Sequence, residues 1–309
     1  MTDSVSQLRS RWSKESTAAA IAFLNGAPPG PAIPVMEHNG KTYYDLRGIR
    51  IEQIQLDGLT IKNVNLRWST VRDVGFKGTR LVKCNLSQTE FSGCYFRRAQ
   101  FERCDVVNAK FDSCDFSNAS LTGSRLDFAT FRSCEITLDA IELRGDADPR
   151  ALVRVCRNLK LNAMSMGHFA DAGELTYMEK TYDRMALYRN AFGRRHESPH
   201  KRLGAVWGWL GSLALNWLWG YGERPWRLAL VMVANILVFG TLQYWLDGLP
   251  GKAWWEDVYF SGITFLTVGY GDLAPVAMLP RLLAVLEGAA GIATFGMLIA
   301  AATKKIMYR

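Results

Sequence analysis

The residues Thr267-Val268-Gly269-Tyr270-Gly271-Asp272 carry chemistry in their backbone rather than in their side chains. Glycines at 269 and 271 lack a Cβ and reach backbone angles that turn successive carbonyls toward one axis. The carbonyls of Thr267, Val268, Gly269 and Tyr270, with the Thr267 hydroxyl, then offer a ladder of oxygens that can replace the water shell of a dehydrated K⁺ ion. In that arrangement the side chains of Val268 and Tyr270 point away from the axis and wedge it open. One chain supplies a quarter of each oxygen ring, so four copies must assemble. Gly-Tyr-Gly in an arbitrary loop means little; the weight comes from what flanks it.

The flanking elements must hold this segment at membrane depth. Residues 226–246 hold about 19 apolar-rich residues, roughly 28 Å as a helix and enough to cross a bilayer. A second such stretch covers 281–303. Between them, 257–266 is short and apolar, as a half-membrane pore helix would be. Arg224 and Arg227 precede the first span, and Lys304, Lys305 and Arg309 follow the second. Basic flanks at both ends predict that both termini are cytosolic and that the intervening segment faces outward. No Arg-rich helix precedes the first span, which argues against an intrinsic voltage sensor. The Trp-rich run within 201–223 (Trp207, Trp209, Trp217, Trp219) reads as an amphipathic helix lying in the bilayer interface. Were it to span, the next segment would cross in the opposite sense and put the filter on the cytosolic side.

From residue 267 to 302 the sequence resembles the bacterial two-transmembrane potassium channels without a gap. The resemblance rests on the hexapeptide, Leu273-Ala274-Pro275-Val276, Arg281, Ala290-Gly291-Ile292 and Phe295-Gly296. It implies a homotetrameric, passive K⁺ channel in the cytoplasmic membrane, with no catalysis and no cofactor apart from the permeant ion. It further implies that Gly291 is a hinge, that Ile292, Phe295, Ile299 and Thr303 line the cavity and inner gate, and that Tyr259 braces Asp272 behind the filter. Ile263 stands where some members carry a buried glutamate partner for that aspartate, so filter inactivation and its pH dependence are open. Glu287 falls inside the second span, where an acid is costly unless paired. A gating or proton-sensing role is one reading; a hydrogen bond to a polar neighbour such as Asn235 or Gln243 is the other.

The preceding half is different in kind. From Leu46 to Ile141 every fifth residue is large and apolar, as in Phe91, Phe96, Phe101, Val106, Phe111 and Phe116. Two residues before each lies a mostly smaller one, as in Cys84, Thr89, Cys94, Ala99, Cys104, Ala109, Cys114, Ala119, Ser124, Ala129 and Cys134. A period of five fits neither helix nor strand alternation, so the repetition is itself the signal. With Asn108-Ala109-Lys110-Phe111 and Asn118-Ala119-Ser120-Leu121, the stretch resembles the pentapeptide-repeat family. That resemblance implies a right-handed quadrilateral parallel β-helix of some five coils, with residues twenty apart stacked above one another. Cys94, Cys114 and Cys134 would form one internal column, with Cys84 and Cys104 opposite, as small buried hydrophobes rather than metal ligands. Leu59, Val64 and Val74 are larger than the usual small residue and predict wider or distorted early coils. Acidic and basic residues nearly balance across the repeat, which argues against mimicry of DNA.

The expected organisation is therefore an N-terminal segment (1–40), a β-helix (41–146), a helical hairpin connector capping its open end (147–200), an interfacial helix (201–223) and an all-α pore domain (224–309). The chain has 309 residues and a formal charge of +8. The basic residues flanking the apolar runs, including Arg194, Arg195, Lys201 and Arg202, account for that excess without nucleic acid. Residues 1–30 show no apolar stretch with a small-residue cleavage site, so the soluble half is expected in the cytosol. Six cysteines without metal-ligand spacing suit a reducing compartment. His38, His168, His196 and His200 accompany no nucleophile motif, and an enzyme finds little support. A second class of function remains: the repeat as a module binding a ligand or protein partner, with the pore as its effector or anchor.

Overall fold

A computed structural model of the chain describes residues 4–31, 33–141, 148–193, 199–249, 251 and 253–307. Arg194, Arg195, His196 and Arg309, the repeat's expected end at 146, and the side chain of Lys305 lie outside the described residues. The chain divides into two compact units, Met1–Ala186 and Leu187–Arg309.

The first unit begins with helices α1 (Val5–Ser10) and α2 (Lys14–Leu24) and the hairpin β1 (Val35–His38) and β2 (Lys41–Asp45). Short strands follow: β3 (Arg50–Glu52), β4 (Thr60–Lys62), β5 (Val64–Asn65), β6 (Thr70–Arg72), β7 (Arg80–Val82), β8 (Glu90–Ser92), β9 (Gln100–Glu102), β10 (Lys110–Asp112) and β11 (Thr130–Arg132). Pairing is parallel at a register of twenty: Ile51 with Val71, Val71 with Phe91, Phe91 with Phe111, Phe111 with Phe131. The unit is a β-solenoid, and the five rungs of its longest sheet, β3-β6-β8-β10-β11, are separated by four such turns. The period of five maps directly onto the interior. Large residues from Leu46 to Ile136 are buried, and Ile141 packs against them. Phenylalanines twenty apart stack, with ring centroids at 4.9 Å (Phe91–Phe111) and 5.1 Å (Phe111–Phe131).

Two local devices make five residues close into a side. The residue two beyond each large one has positive φ, from Gly48 and Gln53 through Phe128 and Ser133. This left-handed corner turns the chain once per repeat. The smaller residue two before each large one does more than leave space. Thr79 donates to the Leu56 carbonyl (2.5 Å), Thr89 to Leu66 (2.5 Å) and Ser124 to Phe101 (2.9 Å). Thiols occupy the same place, with Cys84, Cys94, Cys104 and Cys134 all reaching a carbonyl 23 residues earlier. All six cysteines are buried and unbridged, and no cluster of metal-ligating residues occurs among the described residues.

Both ends of the solenoid are covered. At the start, Leu8, Ala20, Leu24 and Ile33 are buried, and Arg11 pairs with Asp45 at 2.8 Å. At the far end stands α3 (Pro149–Ser165), capped by Asp148 and burying Leu152, Val155, Cys156 and Leu159. Its Asn162 side chain accepts from the Cys134 amide (2.9 Å) and donates to the Cys134 carbonyl (2.8 Å). A side-chain amide thus stands in for the strand that a next coil would have supplied, and an open β edge is avoided. Helix α4 (Phe169–Phe192) follows, its Glu179 held by Arg157 and Lys160.

The second unit contains α5 (Pro199–Trp219), α6 (Trp226–Trp245), α7 (Trp254–Phe265) and α8 (Met278–Met307). Two stretches among the described residues are long and apolar enough to cross a membrane, Trp226–Trp245 and Met278–Lys304. The helix expected at 257–266 begins three residues earlier, and the one expected at 281–303 extends at both ends. Tyr221, at φ 59°, ends α5 in a sharp turn before α6.

Candidate functional site

The site is built on the C-terminal end of α7. Thr267, at φ 56°, closes the helix: its amide donates to the Thr264 carbonyl (3.0 Å) and the Val268 amide to Ile263 (2.8 Å). This is a Schellman closure with threonine where glycine is usual. A β-branched residue in the left-handed region is strained, and the surrounding structure must hold it there. The Gly269 amide also turns back to Ile263, at 3.4 Å. Three successive amides are thereby used up on α7. Among the described residues, no hydrogen bond is accepted by the carbonyls of Thr267, Val268, Gly269 or Tyr270. Gly269 and Gly271 continue with φ of 56° and 78° in open space, so glycine serves conformation here and not packing. The C-terminal end of α7 adds about half a negative charge of helix dipole beside these oxygens.

The segment is secured from both sides. The Tyr259 hydroxyl donates to Asp272 Oδ2 at 3.2 Å, linking the loop to α7. Ile263 is buried, and its carbonyl is the acceptor for Val268. Arg281 Nε donates to the Pro275 carbonyl (2.9 Å), and Gln243 Nε2 to the Pro280 carbonyl (3.0 Å), fixing the return into α8. Val268 and Tyr270 are 48% and 73% exposed in the single protomer. On α8, Ile292 and Ile299 are exposed on the same side as Thr303, while Phe295 is half-buried against Phe265, ring centroids 6.3 Å apart.

Two placements on α8 add to the reading. Glu287 is fully buried, but its partner is neither Asn235 nor Gln243. The Ser261 hydroxyl of α7 reaches one carboxylate oxygen of Glu287 and, at 2.8 Å, the Ile236 carbonyl of α6. One serine thus joins three helices. Gln243 is committed to the Pro280 carbonyl instead, because the first turn of α8 brings that carbonyl beside it. Gly291, expected as a hinge, lies within the continuous helix α8, where a Cβ would come 2.1 Å from the Phe265 carbonyl oxygen. Its immediate role is close approach of α8 to the end of α7. Gly240 does the same between α6 and α7, where a Cβ would meet the Val258 Cα at 2.7 Å. Sequence reasoning missed Ser261 and Gly240. The available signal was small residues spaced along facing apolar helices, which let backbones approach closely in membranes.

Residues 231–308 match the family model described as "Ion channel", and residues 76–120 match that described as "Pentapeptide repeats (9 copies)". The chain is 33% identical over 88 residues to the "Two pore potassium channel b" of Oryza sativa subsp. japonica. The C-terminal part of the chain is a potassium-channel-like domain. That match covers 27% of this chain and 25% of the rice protein, so the chain spans about a quarter of the relative's length. Among solved structures, the solenoid is similar to a pentapeptide repeat protein of the Arabidopsis thaliana thylakoid lumen, with 23% identity over 37% of this chain and 75% of that one, TM-score 0.16. It is also similar to Rfr23 of the cyanobacterium Cyanothece 51142, with 15% identity over 31% and 85%, TM-score 0.13.

Proposed function

We propose that the protein is a potassium-selective channel in which four copies assemble around one axis and conduct K⁺ passively. The observation that carries this reading is the row of four carbonyls, Thr267 to Tyr270, left without partners inside the protomer while their neighbouring amides are bound to α7. Oxygens in that state are the ligands a dehydrated K⁺ needs. Val268 and Tyr270, exposed in one chain, would be covered by neighbouring copies. Ile292, Phe295, Ile299 and Thr303 line the cavity in the tetramer, and Tyr259 with Ile263 supports the filter from behind. Arg224 just before α6, Arg227 in its first turn and Lys304 in the last turn of α8 favour both termini in the cytosol, across the cytoplasmic membrane. The solenoid then lies in the cytosol and gates or assembles the pore.

Purified protein in liposomes should pass K⁺ or Rb⁺ far better than Na⁺. A reversal potential indifferent to the K⁺ gradient would overturn the reading. Removing residues 1–145 separates the roles of the solenoid: changed gating marks it as regulatory, and unchanged flux as scaffold.

A further inference from the structure

The β1–β2 hairpin lies across the coil face, with Lys41 reaching Asp105 at 3.7 Å, and beneath its turn is a hollow of about 280 Å³. His38 and Asn39 form the wall; Arg67, Gln88, Asp105 and Arg125 stand on the floor on four successive coils, Arg67 and Arg125 reaching toward each other from the outer two. Its charges do not balance. Asp105 is the sole carboxylate in the lining, and it is engaged by Arg125 at 3.6 Å as well as by Lys41, while Arg125 also donates to Asp127, outside the lining, at 3.2 Å. Arg67 has no acidic partner among the described residues. Its guanidinium stacks on Trp68 (4.2 Å), meets His38 Nε2 at 3.3 Å and donates to Gln88 Oε1 at 3.2 Å. Its Nε is buried with no acceptor at all. An idle, buried N–H on a cation is costly and calls for an acceptor. His38 registers the same excess: burial first, then Arg67 and Arg47, push its pKa below the ordinary value, with only Asp105 opposing.

We propose that this hollow binds a small phosphoryl oxyanion, either inorganic phosphate or the phosphate of a small metabolite, held by Arg67 and Arg125. The planar guanidinium fork matches phosphate geometry. Gln88 and Asn39 add neutral amide donors, and the volume sits at the small end of ligand pockets, about 300–1,000 Å³. The proposal goes beyond ion conduction, and its test reads no flux, so the two stand or fall separately.

The full chain in detergent, at constant K⁺ and matched ionic strength, should be titrated by calorimetry with inorganic phosphate and with glycerol 3-phosphate. Saturable binding of either supports the site, and the tighter of the two identifies the source. Arg67→Gln and Arg125→Gln should each weaken binding roughly tenfold, while Arg80→Gln, in an exposed ion pair with Glu102, should not. Arg67→Lys keeps the charge without the fork and should also bind more weakly; it decides the matter if Arg67→Gln melts early. No saturable binding of either probe, or equal binding by all four variants, overturns the proposal.

Discussion

Gly291→Ala is the perturbation that separates a packing glycine from a hinge. The added Cβ would stand 2.1 Å from the Phe265 carbonyl oxygen, 3.0 Å from its carbon and 3.4 Å from its Cα. Backbone atoms offer no flexible end to move, so α8 must retreat from α7 by close to 1 Å. Overpacking of this kind costs about 1–3 kcal/mol. Alanine's better helix propensity returns about 1 kcal/mol at most. The displaced atoms belong to Phe265, two residues before Thr267, so the shift is delivered to the start of the carbonyl row. Purified Gly291→Ala should melt several degrees below wild type in K⁺ and should discriminate less sharply between K⁺ and Na⁺ in liposome flux. Gly288→Ala is the control: one turn earlier on α8, its Cβ would sit 3.9 Å from the Thr264 carbonyl, an ordinary contact. It should be neutral or stabilising. A pure hinge predicts the reverse pattern, with altered opening but unchanged melting and selectivity. Gly291→Ala melting at or above wild type would refute the close-packing account.

Three further outcomes follow from contacts in the same structure. Burial opposes charge on Asp45, but hydrogen bonds from Arg11 and Arg47 outweigh it and hold the carboxyl at about 2, against an ordinary 3.8. Its contribution, on the order of 2 kcal/mol, is therefore present above pH ~4 and lost as pH falls toward 2; Asp45→Asn should flatten that acid limb in hydrogen exchange of α1 and α2. Asn162→Leu strands the Cys134 amide and carbonyl and should cost about 1–3 kcal/mol, seen as faster exchange in the last coil with the first coil unchanged. Ser261→Ala leaves the Glu287 carboxylate without its donor and should lower the melting temperature of the pore unit, whereas Ser261→Thr, which keeps the hydroxyl, should lower it less; equal melting of both would show that the hydroxyl contributes nothing.

The solenoid interior was legible because period alone assigns it: a residue at Phe91 or Phe111 has one place to go once every fifth position is apolar. The early coils show what period does not convey. Leu59, Val64 and Val74 led to an expectation of wider or distorted coils, yet the pairing is undistorted there and the register stays at twenty, Thr60 with Arg80 and Arg50 with Thr70. Two residues beyond Leu59 and Val64 stand Ile61 and Leu66 rather than phenylalanine, whereas Phe76 follows Val74. Corners were not legible, since Trp68, Arg98 and Phe128 have no propensity for positive φ and adopt it only because the coil must close. The caps were unevenly so. The hairpin pattern after Pro149 pointed to a covering helix, but residues 1–40 read merely as a segment, because α1 and α2 are too short to show a period. In the pore unit, the hexapeptide announces itself by composition. The Ser261–Glu287 link depends on the relative phase of three helices, which one sequence does not encode in any local spacing.

The same physical rule runs through both units and gives the open carbonyls their meaning. A backbone polar group removed from water without a partner costs about 1–3 kcal/mol. In the solenoid, even the unusual positions obey it: hydroxyls and thiols meet carbonyls 23 residues back, and Asn162 completes the last coil. At α7, the amides of Thr267, Val268 and Gly269 obey it as well. The four carbonyls that follow do not find partners in the protomer, in a stretch where Thr267, Gly269 and Gly271 take positive φ. Inside one protomer they face solvent. Buried at the axis of an assembly they would be untenable unless something positive lay between them. A dehydrated monovalent cation fills that need, whereas a side-chain donor would block the path. Val268 or Tyr270 replaced by a residue with a long donor should therefore trade conduction for stability, giving an assembly that no longer needs K⁺ to resist melting. If such a variant still required K⁺, the ion would not be the partner these oxygens lack.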